Sequence, residues 1–423
     1  MKKYIQFILF ALLCLVFECV IIIKSDIIFP FLTDSDIITR SETERYILKT
    51  IKIMHAGDVH LDSAFMGIDS RYSEIRRREI LAAFTSMMTY AKMNSVDLML
   101  IAGDLFENTY VTNETLIIVK REFEKFGKPI FVSPGNHDHI RPDSVWMKYK
   151  FPSNVYVFRE PQLTSYKLDE LPVTVYGYAF TDKKKDDVPI EGKKVEDPER
   201  INLLVGHCDI ISPVKPRKNH CPIRPYHFDA FGADYAALGH IHNPPPNGHD
   251  NRFCYSGCLE PRGFDEIGPK GACLVEIEKD GVDSTVTVKR VRFSKRTYEE
   301  AEISVTGAET QSDISSAVSA YISANHYGEN TLLSVNLTGF ISPSLVIDRD
   351  SLEFSKLGLF YLRVEDLTRP DLDLTVLEKD PTIKGEVYRK LKPSLEADDK
   401  RTREVALRAL RYSLSALYGD RTF

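Results

Sequence analysis

Ile51-Lys52-Ile53-Met54-His55-Ala56-Gly57-Asp58-Val59-His60 passes from a short apolar run, through a glycine, to an aspartate and a histidine two positions apart. Four further runs end in the same manner. Val96–Ile101 leads to Gly103-Asp104, and Pro129–Val132 leads to Gly135-Asn136-His137-Asp138. Ile201–Val205 leads to Gly206-His207, and Tyr235–Leu238 leads to Gly239-His240-Ile241-His242. Apolar runs of this length, separated by helix-like segments, predict the strands of a layered α/β sheet. Sites on such sheets form where loops leave the carboxyl ends of strands. A glycine before the ligand lets the backbone turn without a β-carbon clash. Side chains far apart in sequence are therefore expected to converge on one point.

The residue types at those five ends share a chemistry. Carboxylate and amide oxygens mixed with imidazole nitrogens suit manganese, iron or zinc better than calcium, which prefers all-oxygen shells. The chain has 11 histidines, and five of them, His60, His137, His207, His240 and His242, fall in these motifs. Each motif alone is weak, because an isolated histidine is more often a core or solvated residue. The ordered set is the informative object. Two cations need a ligand able to bridge them, and a lone aspartate such as Asp104 has the two oxygens to do it.

Outward from the motifs, the best helical pattern spans Ser73 to Met93, with Ser73 as its cap and Ile75, Ile80, Leu81, Phe84, Met87, Met88 and Ala91 on one face. A second helix covers Glu114 to Phe126. After Gly271 the pattern is strand-rich: Ala272–Ile277, Ser284–Phe293 and Leu332–Leu337, with a helix near Ile314–Ala324 and an amphipathic one over Thr402–Leu417. The charged stretch Ser294–Glu300 reads as a boundary, which gives a catalytic domain over 50–295 and a second domain over 296–423. The 423 residues suffice for two domains, and 43% hydrophobic with 27% charged residues is an ordinary globular balance. The formal net charge of −6 gives no bulk sign of a nucleic-acid partner, so DNA binding would have to rest on local basic surface and on metal ions.

Residues 1–49 stand apart. Ile5 to Ile23 is nearly all apolar after Lys2 and Lys3, interrupted by Gln6 and Glu18, and a carboxylate inside a lipid-facing span costs on the order of 3 kcal/mol. The segment reads as a dispensable anchor or as an upstream extension from a misplaced start codon. The seven cysteines are odd in number, and none forms a CxxC pair. They read as reduced thiols of a cytoplasmic protein, with a membrane-anchored chain as the alternative.

The ordered set DxH, GD, GNHD, GH, GHxH resembles the calcineurin-like metallophosphoesterase superfamily. Within it, His55-Ala56-Gly57-Asp58-Val59-His60-Leu61-Asp62-Ser63, Ala102-Gly103-Asp104-Leu105-Phe106, Ser256-Gly257 and Gly263-Phe264-Asp265-Glu266 resemble the SbcD-like DNA repair exonucleases, above all their YhaO-like bacterial branch. The resemblance covers residues 50–290, and more loosely a C-terminal α+β capping domain. It implies a β-sandwich flanked by helices in four layers. It also implies two divalent metal ions: manganese, with iron or zinc as alternatives. One ion would be held by Asp58, His60, Asp104 and His242, the other by Asp104, Asn136, His207 and His240. The metals would activate a hydroxide for attack on phosphorus. His137 would assist the leaving group, and Asp138 would orient His137 by hydrogen bonding. The implied activity is DNA exonuclease in repair, and the implied partners are DNA, a coiled-coil SMC-like ATPase subunit and a second copy of the chain. A phosphatase or phosphodiesterase for a small molecule or nucleotide is the alternative enzyme, and a non-catalytic repair-complex adaptor the alternative of another class.

Weaker signals carry plainer readings. Arg76-Arg77-Arg78 could meet DNA phosphates or simply be a solvated helix face, Lys183–Lys185 reads as a loop charge run, and Arg262 could touch substrate. His55 and His139 flank motifs, and a structural role is the simpler reading of both. The Thr402–Leu417 helix, with Val405, Leu407, Leu410, Leu414 and Leu417 at helical spacing, could pack on the core or dock the ATPase, since no GxxxxGK[ST] occurs in this chain.

Overall fold

The computed structural model describes residues 49–65, 70–107, 111–211, 220–244, 252–343 and 345–418. The expectations for residues 1–48 lie outside the described residues. No helix among the described residues is long and apolar enough to cross a membrane.

Strands β1 (Lys49–Ala56), β2 (Leu98–Ile101), β3 (Ile130–Val132) and β4 (Val155–Val157) pair in parallel. Later in the chain, β10 (Gly271–Asp280) pairs antiparallel with β1, and β11 (Asp283–Arg292) with β10, giving a six-stranded sheet. A second, five-stranded sheet holds β5 (Thr164–Lys167), β6 (Val173–Gly177), β7 (Ile201–His207), β8 (Tyr235–Gly239) and β9 (Phe253–Tyr255) in the order β9-β8-β7-β6-β5. All of its pairs are parallel except β5 with β6.

Period-two alternation sorts the side chains into layers. On β1, Ile51 and Ile53 face the second sheet and share a core with Leu98, Leu100, Phe131, Val175, Leu203, Val205 and Ala237. Met54 and Ala56 face the other way, onto helices α1 (Ser70–Met93) and α2 (Asn113–Phe126), through Ile80, Phe84, Met87, Val119 and Phe123. The second sheet buries Tyr176, Leu204, Ala236 and Leu238 against helix α3 (Pro225–Phe231). The result is four layers, helix–sheet–sheet–helix. Burying a Leu, Ile or Phe side chain is worth roughly 1.5–3 kcal/mol, so these three apolar interfaces dominate the stability. Helix α2 is closed at both ends: the Thr112 hydroxyl accepts the Thr115 N–H at 3.2 Å, and Gly127 ends the helix at φ 68°.

Two details differ from the sequence reading. Helix α1 starts at Ser70, so Ser73 is a buried residue within it and not its cap, and Ile75 is 43% exposed. The charged Ser294–Glu300 stretch runs directly into strand β12 (Thr297–Ser304). Ala301 and Ile303 face the core there while Glu300 and Glu302 are exposed, so charge on the solvent face hid a strand. β12, β13 (Thr331–Thr338) and β14 (Tyr361–Asp366) form a parallel three-stranded sheet that packs on helix α4 (Gln311–Ala324) through Ile303, Val335, Leu337, Ile314 and Val318. The Lys400–Tyr418 helix buries Leu410 and Leu414 against Tyr388 and Leu377, while Val405 is 61% exposed.

Candidate metal centre

The five loops that carry the motifs leave β1, β2, β3, β7 and β8 and are tied to one another by their backbones. The Asp58 N–H donates to the Gly103 carbonyl at 3.1 Å, and the His60 N–H to the Asp104 carbonyl at 2.9 Å. The His240 N–H donates to both oxygens of Asp58, at 3.0 and 2.9 Å. The close fit explains two of the glycines. A β-carbon on Gly239 would lie 1.8 Å from the Ala102 carbonyl oxygen, and one on Gly103, whose φ is +86°, would lie 2.4 Å from His207 Nδ1. Asp58, His60, Asp104 and His240 themselves adopt positive φ values of 50°, 51°, 51° and 103°. Non-glycine residues in that region cost of order 1–3 kcal/mol each and gather at functional sites.

The side chains form two adjoining clusters. Asp58, His60 and His242 have potential ligand atoms within 4.8 Å of one another, and so do Asp58, Asp104 and His207. Asp104 lies between them: its Oδ2 is 3.8 Å from His60 Nε2 and 3.3 Å from His207 Nε2. Its Oδ1 accepts the His137 N–H at 2.8 Å. Asn136 Oδ1 sits 2.8 Å from His207 Nε2, and His240 Nδ1 sits 3.2 Å from the same nitrogen.

Hydrogen-bond partners set the histidine tautomers. His207 Nδ1 faces the Ala102 carbonyl at 3.0 Å, so Nδ1 carries the proton and Nε2 the lone pair. His60 Nδ1 faces Glu107 at 3.2 Å, and His242 Nδ1 faces Glu266 at 2.6 Å. Their Nε2 atoms then face each other across 3.2 Å. At the second cluster His207 Nε2 faces the side-chain amide of Asn136. Two imidazole nitrogens this close require a proton or a cation between them. Burial pushes His60 down to about 3 and His240 down to about 2, so both rings are neutral at neutral pH, whereas the Glu266 carboxylate outweighs burial at His242 and raises it. Neutral imidazole is the form that binds metals. The donor set therefore fits two cations, with Asp58, His60, Asp104 and His242 able to hold one and Asp104, Asn136, His207 and His240 the other.

The expected role of Asp138 is corrected. Asp138 is fully buried and accepts backbone N–H groups from Asp104 at 3.2 Å, Leu105 at 3.0 Å and Gly135 at 2.7 Å. It fixes the two loops and does not touch the His137 ring. The carboxylate on His137 is Glu107, whose Oε1 is 2.8 Å from His137 Nδ1 while its Oε2 reaches His60. That bond raises the His137 pKa, outweighing burial, and the ring stays 39% exposed and 4.7 Å from the His60 ring. The sequence offered a sign of Glu107, an acid three residues after Asp104. Glu266 was likewise visible in the Gly263–Glu266 stretch without a role. His220, which stacks on His240 at 4.6 Å, had no sign beyond its residue type.

Arg76 is corrected as well. It is neither solvated nor open to phosphate: its side chain is 0% exposed and donates to Glu79, to Glu260 at 2.8 Å and to the Pro261 carbonyl at 2.6 Å. Arg262 does lie at the centre, with Nη2 2.9 Å from His242 Nδ1 and its N–H donating to Glu266 at 2.7 Å. His55 is buried under β8, bonded to the Tyr235 hydroxyl at 2.8 Å, and His139 turns back to the Asn136 carbonyl at 3.0 Å. Within the lysine run, Lys185 is buried and donates to the Pro161 carbonyl at 2.7 Å. Cys208, Cys221, Cys254, Cys258 and Cys273 are free thiols, all buried.

Comparison with known proteins agrees with this geometry. The chain is 28% identical over 274 residues to the "Uncharacterized metallophosphoesterase YhaO" of Bacillus subtilis, covering 62% of this chain and 65% of that one. It is 28% identical over 257 residues to the "DNA double-strand break repair protein Mre11" of Methanopyrus kandleri, covering 55% of each. The chain thus spans less than two thirds of either relative. Vacuolar Protein Sorting 29 from Cryptosporidium parvum overlays 58% of this chain and 99% of its own at 12% identity, with a TM-score of 0.25, too low to bear on the fold. Residues 51–244 match the calcineurin-like phosphoesterase family model, so the stretch that carries all five motifs is a calcineurin-like phosphoesterase domain.

Proposed function

We propose that this protein is a two-metal phosphodiesterase acting on DNA, most specifically a manganese-dependent exonuclease of DNA repair. The observation that carries the reading is the convergence of carboxylate, amide and imidazole donors from five loops, with Asp58, His60 and His242 in one group and Asp58, Asp104 and His207 in the next, His60 Nε2 3.2 Å from His242 Nε2 and Asn136 Oδ1 2.8 Å from His207 Nε2. The similarity to an Mre11 protein supports DNA as the substrate.

Two divalent ions at such a centre supply Lewis-acid stabilisation of phosphoryl oxygens and a nucleophile at neutral pH. The chain supplies the rest. Buried Asp58 and Asp104 offset the ionic charge, and Glu107 and Glu266 hold His60 and His242 in the ligating tautomer. Glu107 also keeps the Nδ1 proton of His137, which leaves His137 Nε2 as the nitrogen that hands a proton to the departing sugar oxygen. Manganese is the proposed metal because the set mixes hard oxygens with imidazoles.

His137→Asn is the test. Metal content by elemental analysis should stay normal while turnover of single-stranded DNA falls by about 100-fold or more, the scale of a lost general acid. Unaltered turnover would rule out the role. A wild-type protein that hydrolyses a generic diester but never DNA would move the reading to a small phosphorylated substrate.

A further inference from the structure

Beside His242 the surface opens into a cavity of about 450 Å³. Its walls come from the loop that continues past His242, from Ser256–Cys258, from the turn before β10 and from the last residues of β11. Lys270, Arg290 and Arg292 line it, and no carboxylate does among the described residues. The whole chain has 61 acidic against 55 basic residues, so this wall reverses the bulk charge.

Lys270 and Arg292 are held by neutral partners, and Arg290 by two carbonyls and the Cys254 sulfur at 3.7 Å. Buried Lys270 donates to Asn243 Oδ1 at 2.8 Å and to the Ile267 carbonyl at 2.6 Å. An ammonium has three donors, so one is left over among the described contacts. Arg292 donates Nε to the Ser294 carbonyl at 3.2 Å and Nη2 to Thr297 Oγ1 at 2.9 Å. Arg290 gives its terminal nitrogens to the Ser256 and Tyr255 carbonyls, at 2.9 and 2.8 Å. Carbonyls and hydroxyls position a cation without cancelling its charge. Glu266 and Glu299 are within electrostatic reach of Lys270, and Glu266 already serves His242 and Arg262. Pro244 and Ile267 supply apolar wall.

We propose that this cavity is a second phosphate subsite, which takes the phosphate adjacent to the scissile one in a nucleic-acid strand, with the adjoining sugar against Pro244 and Ile267. The subsite rests on the phosphodiesterase reading above and turns it toward a polyanionic strand. Asn243 connects the two places: it follows His242 in the chain, and its amide oxygen accepts from Lys270.

Anisotropy of a fluorescent single strand with cleavage-resistant phosphorothioate linkages, on the full chain, reads the subsite apart from catalysis. Lys270→Gln and Arg292→Gln should each weaken binding by about three- to tenfold and reduce the salt slope of log K by about 0.7, the effect of one lost phosphate contact on a single strand. Lys128→Gln removes the same charge from an exposed turn at the amino end of β3, opposite the site, and should leave binding as it was. Equal weakening by all three substitutions overturns the subsite, as does weakening by none, or a wild-type chain that fails to bind the strand. Arg292 is exposed, so its variant carries the test if Lys270→Gln melts early. Cleavage of an ordinary strand with manganese is scored separately. A chain that binds through Lys270 and Arg292 but never cuts would keep the subsite and sink the nuclease reading.

Discussion

Two groups of buried charge lie at either end of the 260–266 loop, and they are built on opposite plans. At one end, Arg76 and Arg296 meet Glu79 and Glu260. Arg296 Nε donates to Glu79 at 3.0 Å, its N–H donates to Glu260 at 3.1 Å, and its guanidinium lies 3.6 Å from the centre of the Phe360 ring. Two cations answer two carboxylates inside the chain. At the other end, Asp58 and Asp104 are surrounded by imidazoles, and among the described residues no arginine or lysine pairs with either. Burial penalises charge equally at both ends. A buried cluster complete in itself is architecture, here joining α1 to the strand that opens the third sheet. A buried cluster that lacks positive charge is a site built for something the chain does not contain.

Substitutions at the two ends should therefore fail in different ways. Asp104→Asn removes the carboxylate shared by both clusters. Both metals should be lost by elemental analysis, and hydrolysis of a generic phosphodiester should fall by on the order of 10⁴-fold or more, because each metal contributes several kcal/mol. Folding should survive. Arg76→Met leaves Glu260 without its side-chain cation and Glu79 with only Arg296 and the exposed Lys295, and breaking such a buried pair costs about 3–5 kcal/mol of stability. Chemical denaturation should show that loss, with metal content unaltered. Metal lost from Arg76→Met at unaltered stability would erase the distinction between the two clusters.

Much of the metal centre was legible in the sequence because its residues sit at fixed places on a repeating unit. A strand, a glycine and a ligand recur five times, three times in one sheet and twice in the sheet packed on it. What escaped depends on direction and not on spacing. Asp138 follows His137, yet successive residues in a turn project to different sides, and Asp138 points inward to backbone N–H groups while the His137 ring lies half in solvent. Glu107 reaches His137 only because the loops of β2 and β3 cross, a fact of tertiary packing. Arg76 read as solvated because a helix pattern of three arginines gives no hint of which one faces a neighbouring loop. Strand β12 stayed hidden because glutamates occupy its outer face and its buried residues, Tyr298, Ala301 and Ile303, do not keep one period-two alternation.

The finest test of the comparison lies at Glu266, which belongs to the incomplete cluster but stands next to the complete one. Its Oε1 is 2.6 Å from His242 Nδ1, and its Oε2 accepts the Arg262 N–H at 2.7 Å. Glu266→Gln keeps the shape and leaves an oxygen to accept from one partner, but removes the charge that makes His242 a stronger base. Partners of ligating histidines are typically worth 10–100-fold in metal affinity. An isosteric amide should sit near the lower figure, and the weakening should fall on the cation held with His242, since the His207 tautomer is set by the Ala102 carbonyl instead. Calorimetric titration with manganese should then resolve one site weakened by about tenfold beside one unaltered. Equal weakening of both would mean that Glu266 supports the loop as a whole, as Glu260 does, and the boundary between architecture and site would have to be drawn closer to the metals.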